Sequence, residues 1–336
     1  MTTHETTEIV EIADRPTTTP ASIQVCVRAF DSVERATEFA NLLAEYVREL
    51  SRWINLERLD GLTVAHDYAQ ALLELDRGYE TSHRLTPTDE HAVGVAMTPS
   101  VIRNGTIKSH IVFNAAFIEP LGDQGSELFT QAVHLLAHEC AHVEVTHVFD
   151  KAFPGTLLQK PTKHLKENLR CQIITATWDE FAATWISANF GANPIDAYEE
   201  TFLTVLSFTR DNANNAISAY RHHGDVGRVA AEVYGIYGNL IKFAAYLLGT
   251  MHGQGLSKND LKKTEEALQG HWFGSYFDSL FLLLKELSES YGQWKGQQQF
   301  EAIGNLAEEV IAEGGVTITH VVGDQCYVDV PYRIPS

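Results

Sequence analysis

The hydrophobic pattern of this 336-residue chain changes near Ser126, and the change constrains the fold more than any other feature of the sequence. Before Ser126, short runs that alternate apolar and polar residues, such as residues 22–30 (SIQVCVRAF), stand between helical segments. Such alternation is typical of a half-buried strand. After Ser126, apolar residues recur at helical spacing as far as Glu313. The sequence therefore predicts an α+β fold with a mixed first half and a mainly helical second half.

The same patterns predict individual elements and three regions. Asn104-Gly105 is a strong turn signal between two predicted strands, which indicates a hairpin or two adjacent strands there. The predicted regions are a Thr-rich flexible tail (1–20), an α+β lobe (21–150) and a mainly helical lobe (151–336). The predicted strands are 22–30, 62–65, 92–97 and 107–114, with a last hairpin of 315–322 and 325–330. The predicted helices are 33–55, 68–75, 127–150, 162–189, 195–221, 225–250, 258–268, 272–291 and 298–313.

Charge and composition exclude several classes of partner. The chain has 25 Lys and Arg against 44 Asp and Glu, a net charge of −19. Nucleic acids and anionic membranes attract clustered basic residues, so neither is an expected partner. No apolar run approaches the ~18–20 residues that span a bilayer, and residues 1–20 lack a secretory signal pattern. Four widely separated cysteines indicate reduced thiols, so a cytoplasmic protein is expected: Cys26, Cys140, Cys171 and Cys326.

A short motif in the predicted helix 127–150 carries the chemistry. It reads His138-Glu139-Cys140-Ala141-His142, the pattern H-E-x-x-H. Residues at i and i+4 project from one face of a helix, so both imidazoles can bind one metal ion. Glu139 lies beside them, where it can reach a water on that metal without being a ligand. The alternative is a self-paired or solvated face without a metal.

A site with two histidines needs a third protein ligand. An extension of the metzincin type is excluded because Val145 and Val148 occupy the positions that would need Gly and His. A downstream helix supplies Glu180 within the segment WDEFAATW, whose small residues allow close helix packing. Asp179 competes with Glu180, and His164 or Glu144 remain open. Alone, the pair Asp179-Glu180 would be read as an acidic helix surface.

An H-E-x-x-H helix followed by a Glu on a later helix resembles the gluzincin group of zinc metallopeptidases, over residues 138–184. The resemblance implies a zincin-like lobe, with a small sheet before the active-site helix. It implies one zinc per chain on His138, His142 and Glu180, with Glu139 as general base. It also implies that an edge strand, at 92–97 or 107–114, holds an extended peptide.

Several further residues have alternative roles. His134, one turn before His138, either lines the cleft or is a satisfied helix histidine, whereas Cys140 is expected in the core. Peptidases of this group use a Tyr, His or Arg to stabilise the oxyanion. A helix C-terminus favours cationic groups, which explains the basic residues of the last group listed here equally well. The candidates are Tyr198, Tyr234 and the helix-end group Tyr220, Arg221, His222 and His223.

The expected function is hydrolysis of a peptide or protein substrate by a zinc-activated water. The motif specifies the water and not its target, so a zinc hydrolase of a non-peptide amide or small substrate is an alternative. A restrained zincin-like sensor or scaffold is another. The helical half is expected to form the lower cleft wall, a homo-oligomer interface, a surface for a regulatory protein, or a cap. The overall acidity favours basic or neutral peptides.

Overall fold

The first half of the chain is built on a small mixed sheet. The computed structural model describes residues 15–81, 84–87, 94–159, 164–321 and 325–330. In it, β1 (Gln24–Arg28) pairs in parallel with β2 (Leu59–Ala65), and β2 pairs in parallel with β5 (Thr106–Asn114). Two short strands, β3 (Ala96–Met97) and β4 (Ser100–Arg103), pair antiparallel with β5. The strand order β1-β2-β5-β3 leaves β3 at the edge of the sheet.

The predicted turn at Asn104-Gly105 is confirmed, but it joins different strands from those expected. It connects β4 to β5, with Arg103 opposite Thr106. Asn104 and Gly105 have φ values of 52° and 75°, which a two-residue hairpin turn requires. The predicted strand 92–97 is reduced to β3 in the described part, and its residues 92 and 93 lie outside the described residues. Pro99 separates β3 from β4 and lacks the N–H that a continuous ladder would need.

Helices cover the sheet and connect its parallel strands. Helix α1 (Val33–Leu50) begins at Ser32, whose side chain accepts a hydrogen bond from Arg35 N, and it links β1 to β2. Helix α2 (Tyr68–Glu74) and the short α3 (Ala115–Ile118) follow β2 and β5. Helix α4 (Phe129–Ala152) packs its apolar residues against the sheet and α1. The core side chains there include Leu43, Ile111, Phe113, Leu136, Ala137, Cys140 and Val143.

The second half is helical, as predicted, with a larger core of its own. Helix α4 contributes to both cores, through Val143 to the first and through Val145 to the second. The predicted helix 258–268 is wrong as one element, because Leu261 has non-helical dihedral angles between a 3₁₀ turn (Lys258–Asp260) and α8. The helices are α5 (Leu165–Ser187), α6 (Ile195–His223), α7 (Val226–Gln254), α8 (Lys262–Leu268), α9 (Gly274–Glu289) and α10 (Glu301–Glu313).

Helices α5 and α7 approach each other at a glycine. A Cβ atom on Gly249 of α7 would lie 2.1 Å from Thr184 Oγ1 and 2.3 Å from the carbonyl oxygen of Phe181, both on α5. No side chain larger than hydrogen fits at this distance. The close approach fixes α5 against α7, and α5 carries Asp179 and Glu180.

The predicted α+β class is confirmed, whereas the zincin-like assignment and the domain boundaries stay predictions. The predicted final hairpin is present as β6 (Thr317–His320) and β7 (Cys326–Asp329), and residues 322–324 between them lie outside the described residues. Of the predicted tail, residues 1–14 also lie outside. Thr18 Oγ1 donates a hydrogen bond to the carbonyl oxygen of Ser51.

Among the described helices, none combines the length and apolar character needed to cross a membrane.

Candidate metal centre

Helix α4 buries the whole H-E-x-x-H motif between the two cores. His138, Glu139 and His142 are 7%, 6% and 9% exposed. The Nε2 atoms of the two histidines lie 3.1 Å apart, and the two rings are nearly perpendicular. The three side chains offer ligand atoms within 4.8 Å of one another. The predicted pairing of two imidazoles one helical turn apart is therefore present, in a buried cluster that can hold a metal ion.

Helix α5 brings Glu180 to the same point. Its Oε2 atom lies 3.7 Å from His138 Nε2 and 3.6 Å from His142 Nε2. Atoms 3.1, 3.6 and 3.7 Å apart lie on a circle of about 2.0 Å radius, which matches zinc–nitrogen and zinc–oxygen bonds of roughly 2.0–2.2 Å. Oε2 is buried and has no hydrogen-bond partner within the described ranges. A buried carboxylate oxygen without a partner is costly unless a cation binds it, so these residues fit zinc.

Asp179, the competing ligand, contacts the opposite nitrogen of His142. Its Oδ2 atom lies 3.0 Å from His142 Nδ1. A carboxylate at the outer nitrogen of a metal-binding histidine fixes the ring and makes the other nitrogen a better ligand. Asp179 and Glu180 therefore occupy different sides of the cluster, although they are neighbours in the chain.

Burial and charge together determine the protonation of the metal-free cluster. Burial lowers the pKa of His138, and the neighbouring His142 lowers it further. Burial also disfavours charge on His142, but the carboxylates of Asp179 and Glu180 outweigh it and raise the pKa of His142. Burial raises the pKa of both Glu139 and Glu180. In the cluster, burial thus favours the neutral form of the two glutamates, whereas the nearby carboxylates favour the charged form of His142. A divalent cation bound among these groups would stabilise the ionised carboxylates.

Glu139 faces the strand side of the site. Its Oε2 atom accepts a hydrogen bond of 2.6 Å from Thr98 Oγ1, and Thr98 directly follows β3. The contact ties the carboxylate of α4 to the edge of the sheet. It holds Glu139 beside the histidines and Glu180, with an orientation set by a hydroxyl group.

A cavity of about 390 Å³ opens onto the cluster. On one side it is lined by β3 and its flanks, and on the other by α6 and α7. A smaller cavity of about 160 Å³ shares Thr98 and Asp179 with it and is walled mainly by apolar side chains. The larger cavity includes Ala96, Met97, Thr98, Tyr198, Lys242, Phe243 and Tyr246, and the smaller one includes Val145, Phe149, Ile174, Trp178 and Phe300.

The other ligand candidates have different partners. Glu144 Oε2 accepts a hydrogen bond of 2.5 Å from Asn55 N. His164 precedes α5, and its ring contacts the ring of His320 on β6. His134 is a satisfied helix histidine as predicted, with Nδ1 3.1 Å from Phe190 O and Nε2 3.3 Å from the Tyr198 hydroxyl. Cys140 is fully buried in the core, also as predicted.

Of the oxyanion candidates, Tyr198 is the one found in the wall of the larger cavity. The helix-end group is not part of that wall. Arg221, His222 and His223 are exposed at the end of α6, which agrees with the alternative of cations at a helix C-terminus. Tyr234 lines a different cavity, next to Lys166 and Glu308.

Two contacts of the site were missed by the sequence analysis. The ring of Tyr246 stacks on the ring of His138, with centroids 5.9 Å apart, and its hydroxyl group lies close enough to the Glu180 carboxylate to lower the pKa of Glu180. Thr98 is the other. Neither lies in a recognisable motif, so the sequence carried no signal for them.

Comparisons with protein-family models, with curated proteins and with solved structures found no match to this chain.

Proposed function

We propose that the protein is a zinc-dependent metallopeptidase. The observation that supports this best is the arrangement of His138 Nε2, His142 Nε2 and Glu180 Oε2 around a point about 2.0 Å from each, beside the Glu139 carboxylate. A site of three protein ligands and one open position is typical of catalytic zinc. Zinc bound there supplies a Lewis acid and lowers the pKa of a bound water to ~7.

In the proposed mechanism, Glu139 is the general base. Its carboxylate, held by Thr98, takes the proton of the attacking water and gives it to the leaving amine. Asp179 holds the ring of His142, and the Tyr246 hydroxyl group favours the ionised form of Glu180. Tyr198 is the proposed donor to the oxyanion because it lines the cavity, and in that role its hydroxyl proton would leave His134 Nε2, which lies 3.3 Å away.

The edge strand supports a peptide as the substrate. β3 pairs with β5 on one side, and its residues Ala96 and Met97 line the larger cavity. An extended peptide can add to such an edge through main-chain hydrogen bonds. The smaller, mainly apolar cavity would accept an apolar side chain of that peptide.

The test compares wild-type protein with Glu139→Gln on a randomised peptide library, with zinc measured by mass spectrometry. We expect about one zinc per chain in both proteins, and a fall in cleavage rate of about 10²–10⁴-fold in the variant. Glu144→Gln is the matched control, because it changes a carboxylate on the same helix that contacts Asn55 N, and it should still cleave.

Zinc without cleavage of any peptide would favour a non-peptide amide or small substrate, or a restrained sensor or scaffold. Normal cleavage by Glu139→Gln would refute the assigned base. A homo-oligomer or regulatory partner bound through the helical half, and the cytoplasmic location, stay predictions.

A further inference from the structure

Lys242 is the one Lys or Arg among the described residues that line the larger cavity. The other charged groups there are Glu139, Asp179 and Glu180, together with the two motif histidines. The chain as a whole has 44 acidic against 25 basic side chains. A single cation facing a cavity with this lining needs an explanation of its own.

Lys242 lies on the face of α7 that borders the cavity. It lies on α7 one turn before Tyr246, so the two side chains share a face of that helix. The side chain is half-buried, and Nζ lies 5.0 Å from the ring centroid of Phe243, which also lines the cavity. One wall of the cavity therefore carries an ammonium group supported by an aromatic ring.

Lys242 has no ion-pair partner within 4.0 Å in the part of the chain that the structure describes. Two other half-buried lysines are paired: Lys166 lies 3.0 Å from Glu308, and Lys258 lies 2.6 Å from Asp278. The charge of Lys242 lowers the pKa of Glu180, so the two side chains interact across the cavity, but no carboxylate of the described residues forms an ion pair with Lys242. The ammonium group can therefore bind a ligand in the cavity.

We propose that Lys242 binds a carboxylate of the substrate and so selects peptides with a negative charge close to the scissile bond. This inference rests on the proposed peptidase function. A carboxylate is the anionic group that peptides offer, and a charge-assisted hydrogen bond to it is about twice as strong as a neutral one. The carboxylate comes from the peptide C-terminus or from an Asp or Glu side chain.

The inference runs against the expectation from net charge. A charge of −19 favours basic or neutral peptides at long range, where salt screens the interaction over about 8–10 Å. Inside the cavity, the ammonium group of Lys242 is the charged group that can bind a carboxylate of the substrate. Local contact within a few ångströms decides selectivity, whereas the overall charge acts mainly on the rate of encounter.

The test uses two pools of randomised octapeptides that differ only at the end, one with a free C-terminal carboxylate and one with an amide. Wild type, Lys242→Met and Lys242→Arg are compared for zinc content and for kcat and KM on each pool, with the cleaved bonds identified by mass spectrometry. Lys262→Met, which removes an exposed lysine away from the cavity, controls for the change in net charge.

We expect wild type to prefer a carboxylate by about tenfold or more in kcat/KM, mostly through KM. Lys242→Met should lose that preference, and Lys242→Arg and Lys262→Met should retain it. If wild type prefers the acid pool, the carboxylate comes from the peptide C-terminus. If the cleaved peptides of both pools carry Asp or Glu at a fixed distance from the cleaved bond, the carboxylate comes from that side chain. Absence of a preference, or one that Lys242→Met retains, overturns the inference. A loss confined to kcat also overturns it, because it would assign Lys242 to the oxyanion.

A binding experiment separates this inference from the proposed function. Zinc-loaded Glu139→Gln is titrated with each pool, with and without Lys242→Met, and its thermal shift is recorded. If no peptide is cleaved by wild type but the acid pool still stabilises Glu139→Gln through Lys242, the peptidase proposal fails and the carboxylate site stands. Equal shifts with both pools that Lys242→Met removes assign the carboxylate to an Asp or Glu side chain, whereas shifts that Lys242→Met leaves unchanged refute the carboxylate site.

Discussion

Gly249→Ala tests whether the contact between α5 and α7 positions the candidate metal centre. The added Cβ would lie 2.1 Å from Thr184 Oγ1 and 2.3 Å from the carbonyl oxygen of Phe181. The first atom belongs to a side chain that donates a 2.7 Å hydrogen bond to the carbonyl oxygen of Glu180. The second belongs to the backbone and cannot rotate away. Relief of the contact therefore requires α5 to move, by about 1 Å, to restore a carbon–oxygen separation near 3.5 Å.

Two opposing effects set the magnitude. Ala is better than Gly inside a helix by about 1 kcal/mol. Overpacking of a tight core contact costs about 1–3 kcal/mol and more when the backbone must shift. Because one of the two close atoms is a backbone oxygen, we expect the free energy of unfolding to fall by about 2 kcal/mol. A shift of Glu180 by about 1 Å should also weaken zinc binding by about ten- to a hundredfold, as other disturbances of ligand orientation do.

Gly235→Ala is the matched control, because Gly235 lies on the same helix, is exposed, and has no atom within 4 Å of the Cβ position. It should raise the free energy of unfolding by about 0.5–1 kcal/mol. Urea unfolding of the metal-free proteins measures the free energy of unfolding, and competition with a chromophoric chelator measures the zinc affinity. If Gly249→Ala were as stable as Gly235→Ala and bound zinc normally, the close helix contact and its role would both be refuted.

The remaining predictions concern the ligand and the oxyanion. Glu180→Gln should weaken zinc binding more than Asp179→Asn does. For Asp179→Asn we expect about a ten- to hundredfold loss of zinc affinity in chelator competition, because Asp179 contacts the outer nitrogen of His142. A larger loss in Asp179→Asn than in Glu180→Gln would exchange the two roles. Tyr198→Phe should lower kcat by about 10²–10³-fold with zinc content unchanged, whereas Tyr220→Phe, outside the cavity wall, should leave steady-state kinetics as they are. Equal kinetics for both tyrosine variants would remove Tyr198 from the mechanism.

Local features of the site could be predicted because a helix fixes them. The i, i+4 spacing places His138 and His142 on one face of α4, and the same periodicity places Cys140 in the core. The hairpin at Asn104-Gly105 was equally local, since a two-residue turn needs positive φ at both positions. Its strand partners were not predictable, because β3 and β4 pair with different parts of β5, and that register depends on contacts between separate segments.

Contacts between distant segments could not be predicted in the same way. Thr98 reaches Glu139 because β3 ends beside α4, and no pattern in the sequence announces that approach. Lys242 and Tyr246 face the cluster because α7 packs on α5. From sequence they were two residues on a helix with apolar neighbours.

By itself the sequence determined that this chain is α+β, that one of its helices presents two histidines and a glutamate together, and that an acidic pair follows on a later helix. Only the tertiary structure decided that Glu180 faces both Nε2 atoms while Asp179 contacts the outer nitrogen of His142. The reason is that neighbouring residues on a helix point about 100° apart. Either can face a given partner until packing, here at Gly249, fixes the rotation of α5.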